Sequence, residues 1–255
     1  MTKKSLIIIT AGILFLDVLF FSGSLSMEAQ APSIEKIANK IEHSENAKNT
    51  SQSDIHLKNK KALKIYKKNK DNLVLVNIDS ALDEAYNANL KSICNGRLMA
   101  SETIYNDLVK MLAAANAEGY TYWIASAWRS REKQQRLIDE DVRNEIQKGL
   151  SYDEALQKTY EETMPAGHSE HETGLALDIL CSGNTNMDIS QENEPGNIWL
   201  RENCHRFGFI LRYPENKSDI TKIHYEPWHF RYVGKEAANY MKKHDLTLEE
   251  FLELI

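Results

Sequence analysis

The sequence predicts an α+β domain in which helices flank a small antiparallel sheet. Amphipathic helical patterns gather in the first half of the domain, whereas short apolar runs bounded by turn residues, such as 175–180 and 209–213, follow in the second half. Helices gathered before hairpin-like strands are typical of α+β proteins. With 255 residues, of which 42% are hydrophobic, the chain can bury one sizeable core and has residues left over for an appendage.

The N-terminus carries an export pattern. Two lysines at positions 3 and 4 precede a run over 5–21 that is almost wholly apolar except for Asp17, and an Ala-x-Ala element follows at 29–31. Charged, apolar and then small residues are typical of a signal peptide. Extending the run through Met27 would make it long enough for an uncleaved membrane anchor. We therefore expect 1–31 to be a signal peptide or an anchor, and the rest of the chain to lie outside the cytoplasmic membrane, anchored or secreted.

Residues 32–72 have the composition of a polar tether. They are rich in Lys, Asn, Ser, Glu and Gln and poor in aromatic residues, so they bury too little apolar surface to order themselves. We expect the folded domain to span 73–255, to begin with a strand at 73–76, and to act as a monomer. The net charge of -6 argues against nucleic acid as the main partner.

Helical periodicity and capping residues predict the helices. Ser101 can cap a helix that ends before Gly119 and whose apolar face comprises Ile104, Leu108, Met111, Leu112 and Ala115. A second helix starts near Ser130 and carries an apolar stripe of Ile138, Val142 and Ile146. Capping boxes, in which Ser or Thr precedes Glu by three positions, open a helix over 153–163 and a last helix after Thr247.

Runs rich in aromatic and β-branched residues predict the strands. They cover 122–127, 175–180, 209–213, 223–225 and 230–233, and a helix over 198–207 separates the second from the third. Because side chains alternate faces along a strand, Asp178 shares a face with Ala176, while Leu175, Leu177 and Ile179 point into a core. A carboxylate in that position needs a cation or several donors, since burying it unpaired is costly.

The segment 165–178, Pro-Ala-Gly-His-Ser-Glu-His-Glu-Thr-Gly-Leu-Ala-Leu-Asp, concentrates residues that bind metals and bend the backbone. His171 precedes Asp178 by seven positions, and Tyr-Glu-Pro-Trp-His at 225–229 supplies a second histidine, His229. Two histidine nitrogens and one carboxylate oxygen make a three-ligand zinc site with an open fourth position, which is the catalytic pattern. The three cysteines form no CxxC motif or paired framework, so they indicate neither a thiolate zinc site nor a disulfide scaffold.

Three blocks in a fixed order carry a family resemblance. They are Ser-Ala-Trp-Arg-Ser at 126–130 followed by Gln134, Gly-His-Ser-Glu-His-Glu-Thr-Gly-Leu-Ala-Leu-Asp at 167–178, and Tyr-Glu-Pro-Trp-His-Phe-Arg-Tyr-Val-Gly at 225–234. Together they resemble the VanY-type D-alanyl-D-alanine carboxypeptidases, which share a zinc peptidase fold with lysostaphin-like enzymes and the hedgehog signalling domain. The resemblance covers about 73–244. Two departures are the stretch 221–224, where the family usually has Gly and an aromatic residue, and Glu172, where Gln is common.

The resemblance implies that His171, Asp178 and His229 bind zinc and that Glu226 is the general base. The chemistry of the residues agrees, because zinc lowers the pKa of a water ligand towards about 7 and an adjacent carboxylate can take its proton. His168 is a rival ligand three residues from His171, but the family pattern favours His171.

The resemblance also implies a substrate-binding set. Arg129 matches the arginine that holds the substrate near the scissile carbonyl, and Ser169 and Gln134 match residues near the C-terminal end of the substrate. Taken singly, each residue has a plainer alternative. Arg129 can pair with a carboxylate at a strand end, Ser169 can be a turn residue, and Gln134 can be a solvated helix position.

The function implied is a zinc carboxypeptidase that removes the terminal D-Ala from peptidoglycan stem peptides, in antibiotic resistance or in routine wall turnover. One alternative is an L,D-carboxypeptidase or an endopeptidase of peptidoglycan on the same fold. Another is a non-enzymatic wall-binding or signalling domain that keeps zinc as a structural staple. The presence of Glu226 and Arg129 argues against the staple, because a structural zinc site needs neither.

Overall fold

The computed structural model describes residues 57–255, and its architecture is the predicted mixture of helices and small antiparallel sheets. A hairpin pairs β1 (Leu90–Ile93) with β2 (Leu98–Ser101), and a four-stranded sheet has the order β3 (Tyr122–Ser126), β4 (Ala176–Cys181), β6 (His229–Tyr232) and β5 (Phe209–Leu211). The helices are α1 (57–69), α2 (Glu102–Ala117), α3 (Arg131–Gln147), α4 (Tyr152–Thr159), α5 (Pro195–Asn203), α6 (Ser218–Thr221), α7 (Lys235–His244) and α8 (Leu248–Leu252). The predicted signal or anchor at 1–31 and the tether up to residue 56 lie outside the described residues.

The register of the four-stranded sheet places three polar residues in a row. Asp178 of β4 is opposite Ser126 of β3 on one side and opposite His229 of β6 on the other, and both strand pairs are antiparallel. The pairing of β3 with β4 is irregular between Ile124 and Ser126. Because residues directly opposite each other share a face of a sheet, Ser126, Asp178 and His229 present their side chains on one face.

The other face of this sheet packs into the main hydrophobic core. Leu175, Leu177 and Ile179 point into that core, as the alternation along β4 predicts, and every residue of the strand is buried. Facing them are buried apolar side chains of α2 and α5, namely Ile104, Leu108, Met111, Ala115, Trp199 and Leu200. The polar row is therefore supported from behind by the packed core.

A second core corrects the predicted start of the domain. Ala62 and Ile65 of α1 are buried against residues of α7 and α8, including Met241 and Phe251. The expectation that the folded domain starts at residue 73 is therefore wrong, because the domain includes α1 as well. The apolar stripe of this helix is narrow and lysines occupy most of its other positions, so the composition of 32–72 conceals it.

The predicted strands at 73–76 and 223–225 do not form. Leu73 and Val76 are buried, but the carbonyl of Val74 accepts a hydrogen bond from the Arg231 side chain at 2.8 Å and has no strand partner. Ile223 is buried in a small cluster with Met164 and Tyr213. In both segments the apolar residues are explained by burial in irregular backbone, which periodicity cannot distinguish from a short strand.

Most helix predictions are confirmed, with shorter boundaries. Both capping boxes are present, at Ser151 with Glu154 and at Thr247 with Glu250, although α4 ends at Thr159 and not near 163. The predicted helix over 198–207 is α5 followed by a 3-10 turn, Cys204–Phe207. The sequence did not predict the β1–β2 hairpin or α7.

Candidate metal centre and active site

Three predicted ligands meet on the polar face of the sheet. Nε2 of His171 lies 3.2 Å from Oδ2 of Asp178, and Nδ1 of His229 lies 3.2 Å from Oδ1 of the same carboxylate. One ligand atom from each residue lies within 4.8 Å of the others, and all three side chains are buried. Ligands bound about 2.0–2.1 Å from a tetrahedral ion lie about 3.3 Å apart, so the two separations of 3.2 Å match those around a divalent metal ion.

The hydrogen bonds around the ligands also fit a metal. Nδ1 of His171 lies 2.8 Å from the carbonyl oxygen of Ala127, so it donates there and leaves the lone pair of Nε2 directed at Asp178. Oδ1 of Asp178 is buried and has no hydrogen-bond partner among the described residues. A buried carboxylate oxygen without a donor is costly, and a cation at this point would satisfy it.

The two histidines differ in their electrostatic surroundings. Burial, with the nearby positive charge of Arg129, lowers the pKa of His171 to about 4. Burial also acts to lower the pKa of His229, but the nearby carboxylates of Asp178 and Glu170, at 3.2 and 3.6 Å, outweigh it and raise that pKa to about 9. The His171 imidazole is therefore neutral at physiological pH, as a metal ligand must be, whereas His229 lies between two acceptors that favour a positive charge at its position.

Glu226 lies beside the ligand cluster, on the turn that leads into β6. Its Oε2 is 3.5 Å from Nδ1 of His229, and its backbone N–H donates to the carbonyl of Tyr213 at 3.2 Å. Burial raises the pKa of the Glu226 carboxyl to about 8, against the opposing charge of His229. A cation held by His171, Asp178 and His229 would lower that pKa and keep the carboxylate in its basic form.

Arg129 lines the same cleft, which has a volume of about 360 Å³. Its backbone N–H donates to the carbonyl of His171 at 3.2 Å, which ties it to the ligand segment. Nε of the guanidinium is buried without a hydrogen-bond partner in the described chain. Burial lowers the pKa of the Arg129 guanidinium, and the charges of Asp178 and Glu226 oppose that effect. The guanidinium therefore faces the cleft with unused donors, and no carboxylate within residues 57–255 forms an ion pair with it.

Ser169 and Gln134 line the cleft as well, and both are almost fully buried, at 5% and 1% exposure. The Gln134 amide donates to the carbonyl of Met164 at 2.7 Å, while its Oε1 is buried without a partner among the described residues. The alternative in which Gln134 is a solvated helix position is therefore wrong. One amide proton of Gln134 remains available to a ligand in the cleft.

Glu172 secures the loop that carries Ser169. Its Oε1 accepts a hydrogen bond from the backbone N–H of Gly167 at 2.7 Å, and its Oε2 accepts one from Nε of Arg131 at 3.3 Å. The glutamate is thus an ion-pair partner at a position where Gln is common in the family that the sequence resembles. The neighbouring His168 is turned away from the ligands, with Nδ1 2.7 Å from the carbonyl oxygen of Asn77, so it is not a rival ligand.

A buried charge network behind His229 was not predicted. Glu170 accepts hydrogen bonds from both Arg212 and Arg231 on Oε1, each at 2.7 Å, and Arg212 also binds Glu249. A signal was present in the sequence, because Arg231 follows His229 by two positions on a strand and so shares its face. A charged residue at that inward position requires a carboxylate nearby.

A family model described as D-alanyl-D-alanine carboxypeptidase, VanY, matches residues 97–235. Among curated proteins, a D-alanyl-D-alanine carboxypeptidase of Enterococcus faecalis is 41% identical over 182 residues, which are 71% of this chain and 65% of the relative. A putative carboxypeptidase of Bacillus subtilis, YodJ, is 40% identical over 149 residues, 58% of this chain and 51% of the relative. The chain therefore spans less than two thirds of the length of these relatives.

Solved structures of similar chains cover the same part of the sequence. VanYB in complex with D-Ala-D-Ala is 38% identical, with a TM-score of 0.66 over 71% of this chain and 97% of that one. A mutant of the vancomycin resistance D,D-pentapeptidase VanY in complex with Zn(II) is 37% identical, with a TM-score of 0.65 over 71% of this chain and 99% of that one. The LD-carboxypeptidase LdcB is 34% identical, with a TM-score of 0.63 over 72% of this chain and 87% of that one.

Proposed function

This chain belongs to the VanY family of D-alanyl-D-alanine carboxypeptidases, and on that premise we propose that it is a zinc-dependent D,D-carboxypeptidase that removes the terminal D-Ala from peptidoglycan stem peptides. The observation that carries the proposal is the convergence of three buried ligand atoms, Glu226 and Arg129 on one cleft. A zinc staple in a binding domain needs only the ligands. The base and the free guanidinium beside them favour catalysis.

His171, Asp178 and His229 would hold the zinc ion, as two imidazole nitrogens and one carboxylate oxygen. The donor set suits zinc, and a related VanY structure is a complex with Zn(II). When bound, zinc polarises a carbonyl and lowers the pKa of a water ligand towards about 7. Three protein ligands leave one coordination position for that chemistry.

Glu226 and Arg129 would perform the proton and charge steps. Oε2 of Glu226, next to the ligand atom of His229, takes a proton from the attacking water and passes it to the leaving amine of D-Ala. The unpaired guanidinium of Arg129 donates to the scissile carbonyl oxygen as negative charge develops on it. Arg129 has no ion-pair partner among the described residues, so its guanidinium is free to bind the peptide without breaking a buried ion pair first.

The terminal carboxylate of the substrate would be bound by Ser169 and Gln134. Both side chains are buried on the cleft wall and offer N–H or O–H donors, which a carboxylate requires. Glu172 holds the loop of Ser169 in place through Gly167 and Arg131. A site of this kind favours peptides with a free C-terminus, and so an exopeptidase over an endopeptidase.

An L,D-carboxypeptidase that acts on tetrapeptide stems is the second candidate. The observation that favours it is the similarity to LdcB, which is described as an LD-carboxypeptidase and shares the fold over 72% of this chain. The identity to VanYB is slightly higher, at 38% against 34%, and that structure contains D-Ala-D-Ala. We therefore place the D,D activity first.

A panel of three peptides tests the function. Zinc-loaded protein is incubated with a stem pentapeptide ending in D-Ala-D-Ala, the corresponding tetrapeptide, and the pentapeptide with an amidated C-terminus, and the products are identified by mass spectrometry. Loss of one alanine from the free pentapeptide alone supports the proposal. Cleavage of the tetrapeptide alone would show that the enzyme is an L,D-carboxypeptidase. Cleavage of the amidated pentapeptide as fast as the free pentapeptide would indicate an endopeptidase.

We also propose that the enzyme works outside the cytoplasmic membrane, anchored to it or released to the wall. The support is the N-terminal sequence, with its lysines, apolar run and Ala-x-Ala element. Within residues 57–255, no helix is long and apolar enough to cross a membrane. Cell fractionation with external protease tests the location. Degradation of the domain in intact wall-stripped cells supports it, and full protection in the cytoplasm would contradict it.

A further inference from the structure

The metal ligand His229 has a buried carboxylate on the side away from Asp178. Nε2 of His229 lies 3.6 Å from Oε2 of Glu170, and the two atoms are both buried without a hydrogen-bond partner in the described chain. We infer that Glu170 is a positioning residue that fixes the ring of His229 in the orientation and tautomer required for metal binding. The inference rests on the metal site of the proposed function.

The tautomer of His229 follows from what lies next to each of its two ring nitrogens. Nδ1 faces Asp178 and Glu226, at 3.2 and 3.5 Å, so Nδ1 is the atom that can bind a metal. A neutral imidazole carries its proton on the other nitrogen, so Nε2 must be a donor when Nδ1 is a ligand. Oε2 of Glu170 is the acceptor placed to receive that proton. A carboxylate behind a metal-bound histidine both orients the ring and raises its basicity.

Glu170 is itself held in a fixed position. Its Oε1 accepts one hydrogen bond from Nε of Arg212 and one from Nη1 of Arg231, each 2.7 Å long. All three side chains are completely buried. Arg212 is in turn bound by Glu249 through two hydrogen bonds of 2.9 and 2.6 Å. The two arginines and the two glutamates balance in charge. Both arginine donors bind Oε1 of Glu170, which leaves Oε2 free for His229.

These hydrogen bonds mean that Glu and Gln at position 170 would present different groups to His229: Glu an acceptor, and Gln a donor. Two arginine donors on the Oε1 side would hold the amide oxygen of a glutamine there, since an amide nitrogen cannot accept hydrogen bonds. The amide NH₂ would then face Nε2 of His229 as donor against donor. The ring would be driven to the tautomer with the proton on Nδ1, which cannot bind a metal. Glu170→Gln therefore changes little in shape and reverses the hydrogen bond.

The matched control is Glu249→Gln. It removes one carboxylate from the same buried network and weakens the same arginine, Arg212, but Glu249 has no contact with His229 among the described side-chain hydrogen bonds and ion pairs. A general loss of stability or charge balance should affect both variants alike. Two effects are specific to Glu170→Gln: a weaker pairing with Arg231 and the loss of the acceptor behind the histidine, and only the second touches a metal ligand.

Zinc affinity measured by competition with a chromogenic chelator tests the inference on the full chain. Removal of a partner behind a metal-bound histidine typically weakens metal binding about 10- to 100-fold. We expect that loss for Glu170→Gln and affinity within a few-fold of wild type for Glu249→Gln. The absorption spectrum of the Co(II)-substituted protein, which reports ligand geometry, should change only in Glu170→Gln. Equal affinity and unchanged spectra in the two variants would overturn the positioning role.

A measurement on the unmutated chain keeps the inference testable if Glu170→Gln does not fold. In zinc-loaded protein with ¹⁵N-labelled histidine, NMR should show His229 protonated on Nε2 and unprotonated on Nδ1. Protonation of Nδ1 with zinc bound would overturn the inference. If wild type binds no zinc at all, the proposed function fails as well, whereas normal zinc binding with a wrong tautomer rejects the positioning role alone.

Discussion

Asp178 and His229 are directly opposite each other on the antiparallel strands β4 and β6, and Oδ1 of the first lies 3.2 Å from Nδ1 of the second. The metal centre is thus partly a product of strand pairing. A slip of one residue in register would move His229 to the opposite face of the sheet. The main core prevents such a slip, because it would also move Phe230 of β6, which is fully buried in that core, to the polar face.

Glu226→Gln should retain zinc and lose most activity. The carboxylate lies next to the ligand cluster but the three ligand atoms come from other residues, so the change removes the base and not the site. Proton transfer by a positioned group typically contributes about 10²- to 10⁴-fold, and we expect a fall in kcat of that order. Steady-state kinetics and metal analysis check it. Glu162→Gln, at an exposed carboxylate on the same cleft, is the control and should be nearly silent.

Replacing His229, unlike replacing Glu226, should abolish zinc binding. His229→Ala removes one of three buried ligands, so both zinc and activity should be lost. Metal content by mass spectrometry under native conditions, measured beside Glu226→Gln, separates ligand from base. If the His229→Ala variant bound zinc as tightly as Glu226→Gln does, the ligand role of His229 would be wrong.

Arg129→Lys should lower kcat/KM by about 10²- to 10³-fold without loss of zinc, which is the usual effect of removing one donor to a developing oxyanion. A lysine keeps the charge but cannot reproduce the planar set of donors. The measurement is kinetics on the pentapeptide with metal content determined in parallel. Arg136→Lys, at an exposed position of α3, should leave both unchanged. Full activity of Arg129→Lys would mean that charge alone is needed, or that the guanidinium does not contact the substrate.

Gly174→Ala should destabilise the fold. Gly174 has a φ of 71°, and a Cβ added there would lie 2.8 Å from the backbone nitrogen of Ser101, which donates to the Gly174 carbonyl. The left-handed conformation alone costs a non-glycine residue about 1–2 kcal/mol, and the contact with backbone adds to it. Urea denaturation measures the loss. Gly183→Ala is the control, because nothing lies within 4 Å of its added Cβ and its φ is not positive. Equal stability of the two variants would contradict the close approach.

Release of D-Ala should be insensitive to β-lactams and sensitive to metal chelators. β-Lactams acylate an enzyme nucleophile such as serine, whereas the proposed reaction uses water activated at the metal site and Glu226. D-Ala release measured with penicillin in excess should equal that of the untreated enzyme. Inhibition by penicillin, together with activity in a chelator, would indicate a serine enzyme.

The sequence predicted the parts of this site that depend on local pattern. The alternation of Leu175, Leu177 and Ile179 around Asp178 correctly placed the carboxylate on the polar face. The other residues of the three blocks, Arg129, Gln134, Ser169 and Glu226, line one cleft, and their roles in it stay predictions. The alternation is informative because side chains point to opposite faces in turn along a strand, so a run of apolar residues at every second position identifies the buried face.

What depended on long-range partners was not predicted. The segment at 73–76 has the composition of a strand, but the side chain of Arg231 occupies the carbonyls of Asn72 and Val74, at 3.0 and 2.8 Å. The role of Glu170 depends on two arginines that are 42 and 61 positions away. Such pairings are set by the packing of separate elements and have no spacing of their own in the sequence.

Zinc titration of the metal-free enzyme, with D-Ala released from the stem pentapeptide as the readout, tests the central claim most directly. If one zinc held by His171, Asp178 and His229 supports the reaction, D-Ala release should rise linearly with added zinc and stop rising at one equivalent. The product should be the tetrapeptide. Full release by metal-free protein in a chelator, or no release at one or more equivalents of bound zinc, would contradict the account.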